Sequence, residues 1–151
     1  MGIFDRFRKK KMKNKKGAGE DLAKDFCKLA LKFAEDVNKK LDYSKNSIAV
    51  LEEVLDCYSN DIPKSKPTEN QIRSMSVIFG SYLGEIMLQS GLSEAGFFWE
   101  TDGSPNTLVL VKSDGSYLTP CNKVYKRLVN GIEDNVIAFY KFAMEEFTAQ
   151  K

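Results

Sequence analysis

The residues whose types and spacing could do chemistry gather around GSYLGEIM, Gly80 to Met87. Glu85 stands among Leu83, Ile86 and Met87, and a carboxylate in apolar surroundings needs a donor. Arg73, Lys112, Lys123, Arg127, the Trp99 indole and backbone amides can supply one. With a donor, Glu85 is a structural tie. Without one, its pKa rises and it becomes a recognition or acid–base residue. Glu100 and Asp102, leaving a strand, are the acids that could approach it, and Tyr82 and Trp99 are its candidate neighbours. Gly80 and Gly84 share one helix face with Ser76, one turn apart. Each glycine costs up to about 1 kcal/mol relative to alanine in a helix. Close approach of another part of the chain, or of a ligand or partner backbone, must offset that. Packing within the molecule is the expectation.

Composition narrows the chemistry further. The chain has no histidine, which excludes Ser-His-Asp and Cys-His pairs and histidine as a general base. Cys27, Cys57 and Cys121 are odd in number and show no C-x-x-C spacing. Neither a zinc site nor a disulfide framework is expected, and no cofactor or metal is assigned. All three read as small buried hydrophobes. A reactive thiol at Cys121, after Pro120 near a helix start, is the alternative. Trp99, the only tryptophan, reads as core on a short strand, or as a binding anchor if exposed.

Charge divides the chain in two. Residues 1–16 hold eight basic residues against Asp5, giving +7, while the other 15 basic residues face 20 acids, giving −5. A basic tail over residues 1–18 therefore precedes a mildly acidic domain over 19–151, with Gly17-Ala18-Gly19 as the joint. Three readings of the tail stand open. It is a solvated extension, or a weak anchor to an anionic membrane surface through Ile3, Phe4 and Phe7 with Arg8, Lys9, Lys10 and Lys11, or a non-specific nucleic-acid contact. Specific nucleic-acid recognition is not expected. The start MGIFDR approaches a myristoylation signal, but Arg6 stands where Ser or Thr is needed. No membrane span or signal-peptide core is evident, so the expected location is the cytoplasm, with peripheral contact at the inner membrane surface as the variant.

These residues need elements to position them. Leu22, Phe26, Leu29, Phe33, Val37 and Leu41 predict a helix from Glu20 to about Leu41. A second helix is predicted over Ser44 to Tyr58, broken by NDIPKSKP. Thr68 and Gln71 have capping-box spacing for a third, from Glu69 to about Ser90, closed by Gly91. FFWET (97–101), TLVLVK (107–112) and SYLT (116–119) then read as three strands, with Asp114-Gly115 as a hairpin turn. A helix follows from Pro120 to Asn130-Gly131, and another over about Glu133 to Phe147. The fold class is α+β: about five helices packed on a small three-stranded antiparallel meander.

GSYLGEIM, the strand carrying Trp99 and YLTPCNKVYKRLVNGIEDNVIAFY together resemble a bacterial family known as domain of unknown function 3806, over about residues 68–142. The resemblance implies a bacterial cytosolic α+β domain and carries no activity, substrate or catalytic residues. Within it, Lys123, Lys126 and Arg127 share one helix, either as a solvated basic side or with Arg127 donating to Glu85.

The function expected is a non-catalytic protein-binding module, regulatory or immunity-type, acting on a protein partner. No catalytic residue is assigned. The alternatives are a small-ligand-binding protein or enzyme using Glu85 beside the Gly80/Gly84 strip, with Tyr82, Trp99 and Glu100 around it, and a peripheral membrane adaptor. Gly80, Tyr82, Gly84, Glu85, Trp99, Glu100, Lys123 and Arg127 are the candidate binding residues.

Overall fold

The computed structural model describes residues 15–102, 104 and 107–148. The membrane-surface candidates Ile3, Phe4, Phe7 and Arg8 to Lys11 lie outside them. Five α-helices and a three-stranded antiparallel sheet build one α+β core, as the periodicity predicts.

Helix α1 spans Lys15–Glu35. It starts earlier than expected, so Gly17-Ala18-Gly19 is helical and not a joint. Gly19 is buried, and a Cβ there would sit 2.7 Å from the Trp99 carbonyl oxygen. The buried face of α1 also differs from the predicted one. Ala23, Cys27, Ala30 and Ala34 are its sealed residues, while Leu22, Phe26 and Phe33 flank them and Leu29 is exposed. Small side chains let α1 lie close on its neighbours, which large ones would hold off. The helix stops at Glu35, in a turn with Asn38 at φ 62°, and Leu41 joins the core from a loop.

Helix α2 spans Ser47–Ser65 and runs through Pro63. Pro63 gives up one hydrogen bond of the ladder without ending the helix, and the expected break falls at Lys66, in the left-handed conformation. The Tyr58 hydroxyl donates to the Phe33 carbonyl at 2.7 Å, tying α2 to α1.

Helix α3, Glu69–Met87, opens with the predicted capping box. Gln71 N–H donates to Thr68 Oγ1 at 3.1 Å, and Thr68 N–H donates to Gln71 Oε1 at 2.8 Å. From Ser76 to Gly84 every residue is buried, as befits a helix surrounded on all sides. It touches α1 and α2 as well as the later elements, so residues before and after Pro63 share one core. Beyond Met87 the helix widens into a π turn, Leu88–Leu92, containing Gly91 at φ 139°.

The strands β1 (Phe98–Glu100), β2 (Val109–Val111) and β3 (Tyr117–Leu118) lie in chain order. Trp99 pairs with Leu110, and Leu110 with Leu118, which aligns the three buried side chains on the inner face. Asp114 shapes the second turn, its Oδ1 accepting from Ser116 N–H at 2.9 Å. Helix α4, Pro120–Asn130, carries proline at its first position and ends at Gly131. After a 3-10 turn, Asn135 caps α5, Val136–Phe147, by accepting from the amides of Ile137 and Ala138.

Candidate functional site

The glycine strip is filled by the molecule itself. A Cβ on Gly80 would fall 2.7 Å from Cys121 Sγ and against that residue's backbone, and one on Gly84 would collide with the Trp99 indole and meet Pro120 at 3.3 Å. The start of α4 and the ring from β1 thus occupy the bare helix face. Ser76, the third member, donates to the Arg73 carbonyl at 2.7 Å. Packing within the chain therefore accounts for both glycines, and Ser76 is buried on the same face.

Several sequence-predicted site residues are consumed by the same packing. Tyr82 is buried, its hydroxyl accepting from Tyr43 N–H at 2.8 Å and donating to Ser47 Oγ at 2.9 Å. Trp99 is 0% exposed, so it is core and not a surface anchor. Burial pushes the Cys121 thiol up to about 12, which removes the reactive-thiolate alternative. Cys27 is similarly sealed, whereas Cys57 is exposed, against the expectation for it.

Lys123 and Arg127 form no basic face. Lys123 pairs with Asp134 at 3.1 Å. Arg127 is buried, its Nε donating to Glu52 Oε2 and its Nη2 to Asp56 Oδ1, both at 2.7 Å. It neither lies on a solvated side nor reaches Glu85. The amphipathic pattern hid this, because α2 supplies the acids from more than seventy residues away. Arg73 is taken by Glu69 at 2.9 Å, and Lys112 lies nearest Asp114 at 3.9 Å.

Glu85 receives instead the Trp99 indole. Trp99 Nε1–H donates to Glu85 Oε1 at a long 3.4 Å. The same tryptophan gives its backbone N–H to Glu20 Oε2 at 3.2 Å. Two helices, α1 and α3, therefore bring one carboxylate each to the two N–H groups of a single residue. Glu20 was missed in the sequence, where it reads only as a helix start. Its neighbour Gly19 held the one available signal, a small residue in register with Ala23.

The two carboxylates line an open hollow of about 410 Å³ with Glu94, Phe97, Phe98 and the π turn. That volume falls in the range of small-molecule sites. Among the described residues that line it there is no Lys or Arg, and Glu100 is not one of them. Tyr140 pins the π turn to α5 by donating to Ser90 Oγ at 2.8 Å, and Phe97 meets Phe147 edge-on with centroids 5.0 Å apart.

Electrostatically the hollow is negative and incompletely satisfied. Glu20 Oε1 is enclosed and has no hydrogen-bond partner among the described residues. Burial raises the Glu20 carboxyl above the ordinary glutamate value. The charges of Glu85 and Asp21 add to the rise, and backbone amides, Trp99's included, oppose it. No group of three or more metal-ligating side chains occurs among the described residues. The arrangement can accept hydrogen bonds and attract a cation against an aromatic wall.

No helix among the described residues is long and apolar enough to cross a membrane. No family model matches the chain, and neither a curated protein nor a solved structure matches it.

Proposed function

We propose that the protein is a non-catalytic protein-binding module, and that the hollow between α1, α3 and the π turn receives a basic side chain of its partner. The resemblance to domain of unknown function 3806 supports a bacterial cytosolic setting for it. One observation carries the reading: Glu20 and Glu85 face a hollow of about 410 Å³, served by the Trp99 N–H groups and Glu20's own backbone amide and by no Lys or Arg among the described residues that line it. A lysine or arginine side chain matches this demand. Its head supplies donors to carboxylates, and its methylene stem covers Phe97 and Phe98.

Capture from a bacterial lysate by wild type, Glu85→Gln and a distant exposed control, Glu35→Gln, tests the reading. Partners held by wild type and control should be lost from Glu85→Gln, whose affinity should fall about tenfold, or about 1.4 kcal/mol. An identical set of partners on all three overturns it.

The second reading is a small-ligand-binding protein or an enzyme. Two carboxylates facing one hollow, with burial raising that of Glu20, favour it. Under that reading, loss of Glu85 leaves the set of captured proteins unchanged and abolishes binding of a small amine.

A further inference from the structure

We propose that the outward face of α5 is a self-association surface, covered by a second copy of this chain that packs its own α5 against it in the antiparallel sense. The face is separate from the hollow, whose lining includes no residue of α5.

Composition raises the need for a cover. Apart from Lys141, Glu145 and Glu146, every residue of α5 is apolar or aromatic. A helix that is apolar around most of its circumference belongs in an interior, yet only Val136 and Ala143 are buried. Ile137, Phe139, Tyr140, Met144 and Phe147 pack partly against the core. Ala138 and Phe142, one turn apart, stand on the outward side: Ala138 is exposed and Phe142 is 54% exposed. Ile132, just ahead of the helix, is 71% exposed.

Charge selects the occupant. Helical geometry puts Lys141 and Glu145 on one flank of the Ala138–Phe142 stripe, again one turn apart. Both are exposed, and neither enters an ion pair among the described residues. A two-fold axis at the level of Ala143, midway between them, reverses the second helix. Each Lys141 then meets the partner's Glu145, and the two Phe142 rings come together near the axis. In that register Glu146, on the other flank, falls level with the partner's Tyr140 and meets no like charge. A parallel partner would set lysine against lysine and glutamate against glutamate, which repel. The flank is complementary to itself in the antiparallel sense only.

Sedimentation equilibrium of the full chain tests the proposal, under reducing conditions that keep the exposed Cys57 from cross-linking. Wild type should dimerise in the micromolar to millimolar range. Phe142→Ser, which removes a ring from each side, should weaken dimerisation about a hundredfold. Lys141→Glu and Glu145→Lys should each weaken it about tenfold, since both symmetry-related pairs become repulsive. The double variant, and a one-to-one mixture of the two single variants, should regain wild-type association. A wild type that stays monomeric throughout overturns the proposal, as does a dimer indifferent to Phe142→Ser. Single charge swaps that leave dimerisation unchanged overturn the antiparallel arrangement. Should Phe142→Ser fail to fold, the charge swaps decide: recovery in the double variant supports the surface, and its failure overturns it.

Discussion

Two regions of the molecule bury carboxylates, and they do so in opposite ways. Where α2, α4 and α5 meet, Glu52 accepts from Arg127 Nε through one oxygen and from Val136 N–H, at 3.1 Å, through the other. Asp56 takes a further arm of the guanidinium. One guanidinium there serves two carboxylates and locks three helices together, with Arg127 Nη1 buried and without a hydrogen-bond partner among the described residues. Around Trp99, Glu20 and Glu85 meet N–H groups and a hollow. One fold thus holds a closed ion cluster and a pair of carboxylates beside an open hollow. Each region leaves one buried polar atom short, Arg127 Nη1 in the first and Glu20 Oε1 in the second, and the second lies beside a hollow that something from outside could enter.

The comparison breaks most decisively at Arg127. Arg127→Ala leaves Glu52 buried and uncompensated, and chemical denaturation should show a loss of about 3–5 kcal/mol. A loss below about 1 kcal/mol would remove the distinction between closed and open regions. Next comes the glycine face of α3. Gly80→Ala drives a methyl into the Cys121 backbone and Gly84→Ala drives one into the indole, each destabilising by about 1–3 kcal/mol in the same measurement. Gly84→Ala should in addition shift Trp99 emission, since the displaced ring carries the donor to Glu85; Gly80→Ala should not. The smallest effect sharpens the contrast. Glu85→Gln keeps an oxygen for the indole and should change stability by no more than about 0.5 kcal/mol, while weakening partner binding. A large destabilisation by that substitution would place Glu85 with Glu52, as a structural acid.

Much of the frame was legible in particular residues. Thr68 and Gln71 announced the start of α3 because capping is local. Asp114-Gly115 located the turn after β2, and Pro120 the start of α4, for the same reason. Gly80 and Gly84 announced a close neighbour without naming it. Other features were misread where a local pattern is ambiguous. The large apolar residues of α1 suggested the inner face, while the structure buries Ala23, Cys27, Ala30 and Ala34. Arg127 resembled a solvated helix residue, and its acids come from α2. Glu20 carried no local sign beyond the small residue before it, since its partner Trp99 comes from β1, 79 positions along the chain.

The sequence by itself determined the elements, the α+β class, the want of histidine chemistry and the need for something to lie against the glycine face. These follow from backbone propensity, capping and periodicity, which act over a few residues. Only the tertiary structure decided that Trp99 fills that face, that its two N–H groups meet Glu20 and Glu85, and that a hollow opens beside them. Burial and charge balance belong to groups brought together from distant parts of the chain, and no local spacing encodes that meeting.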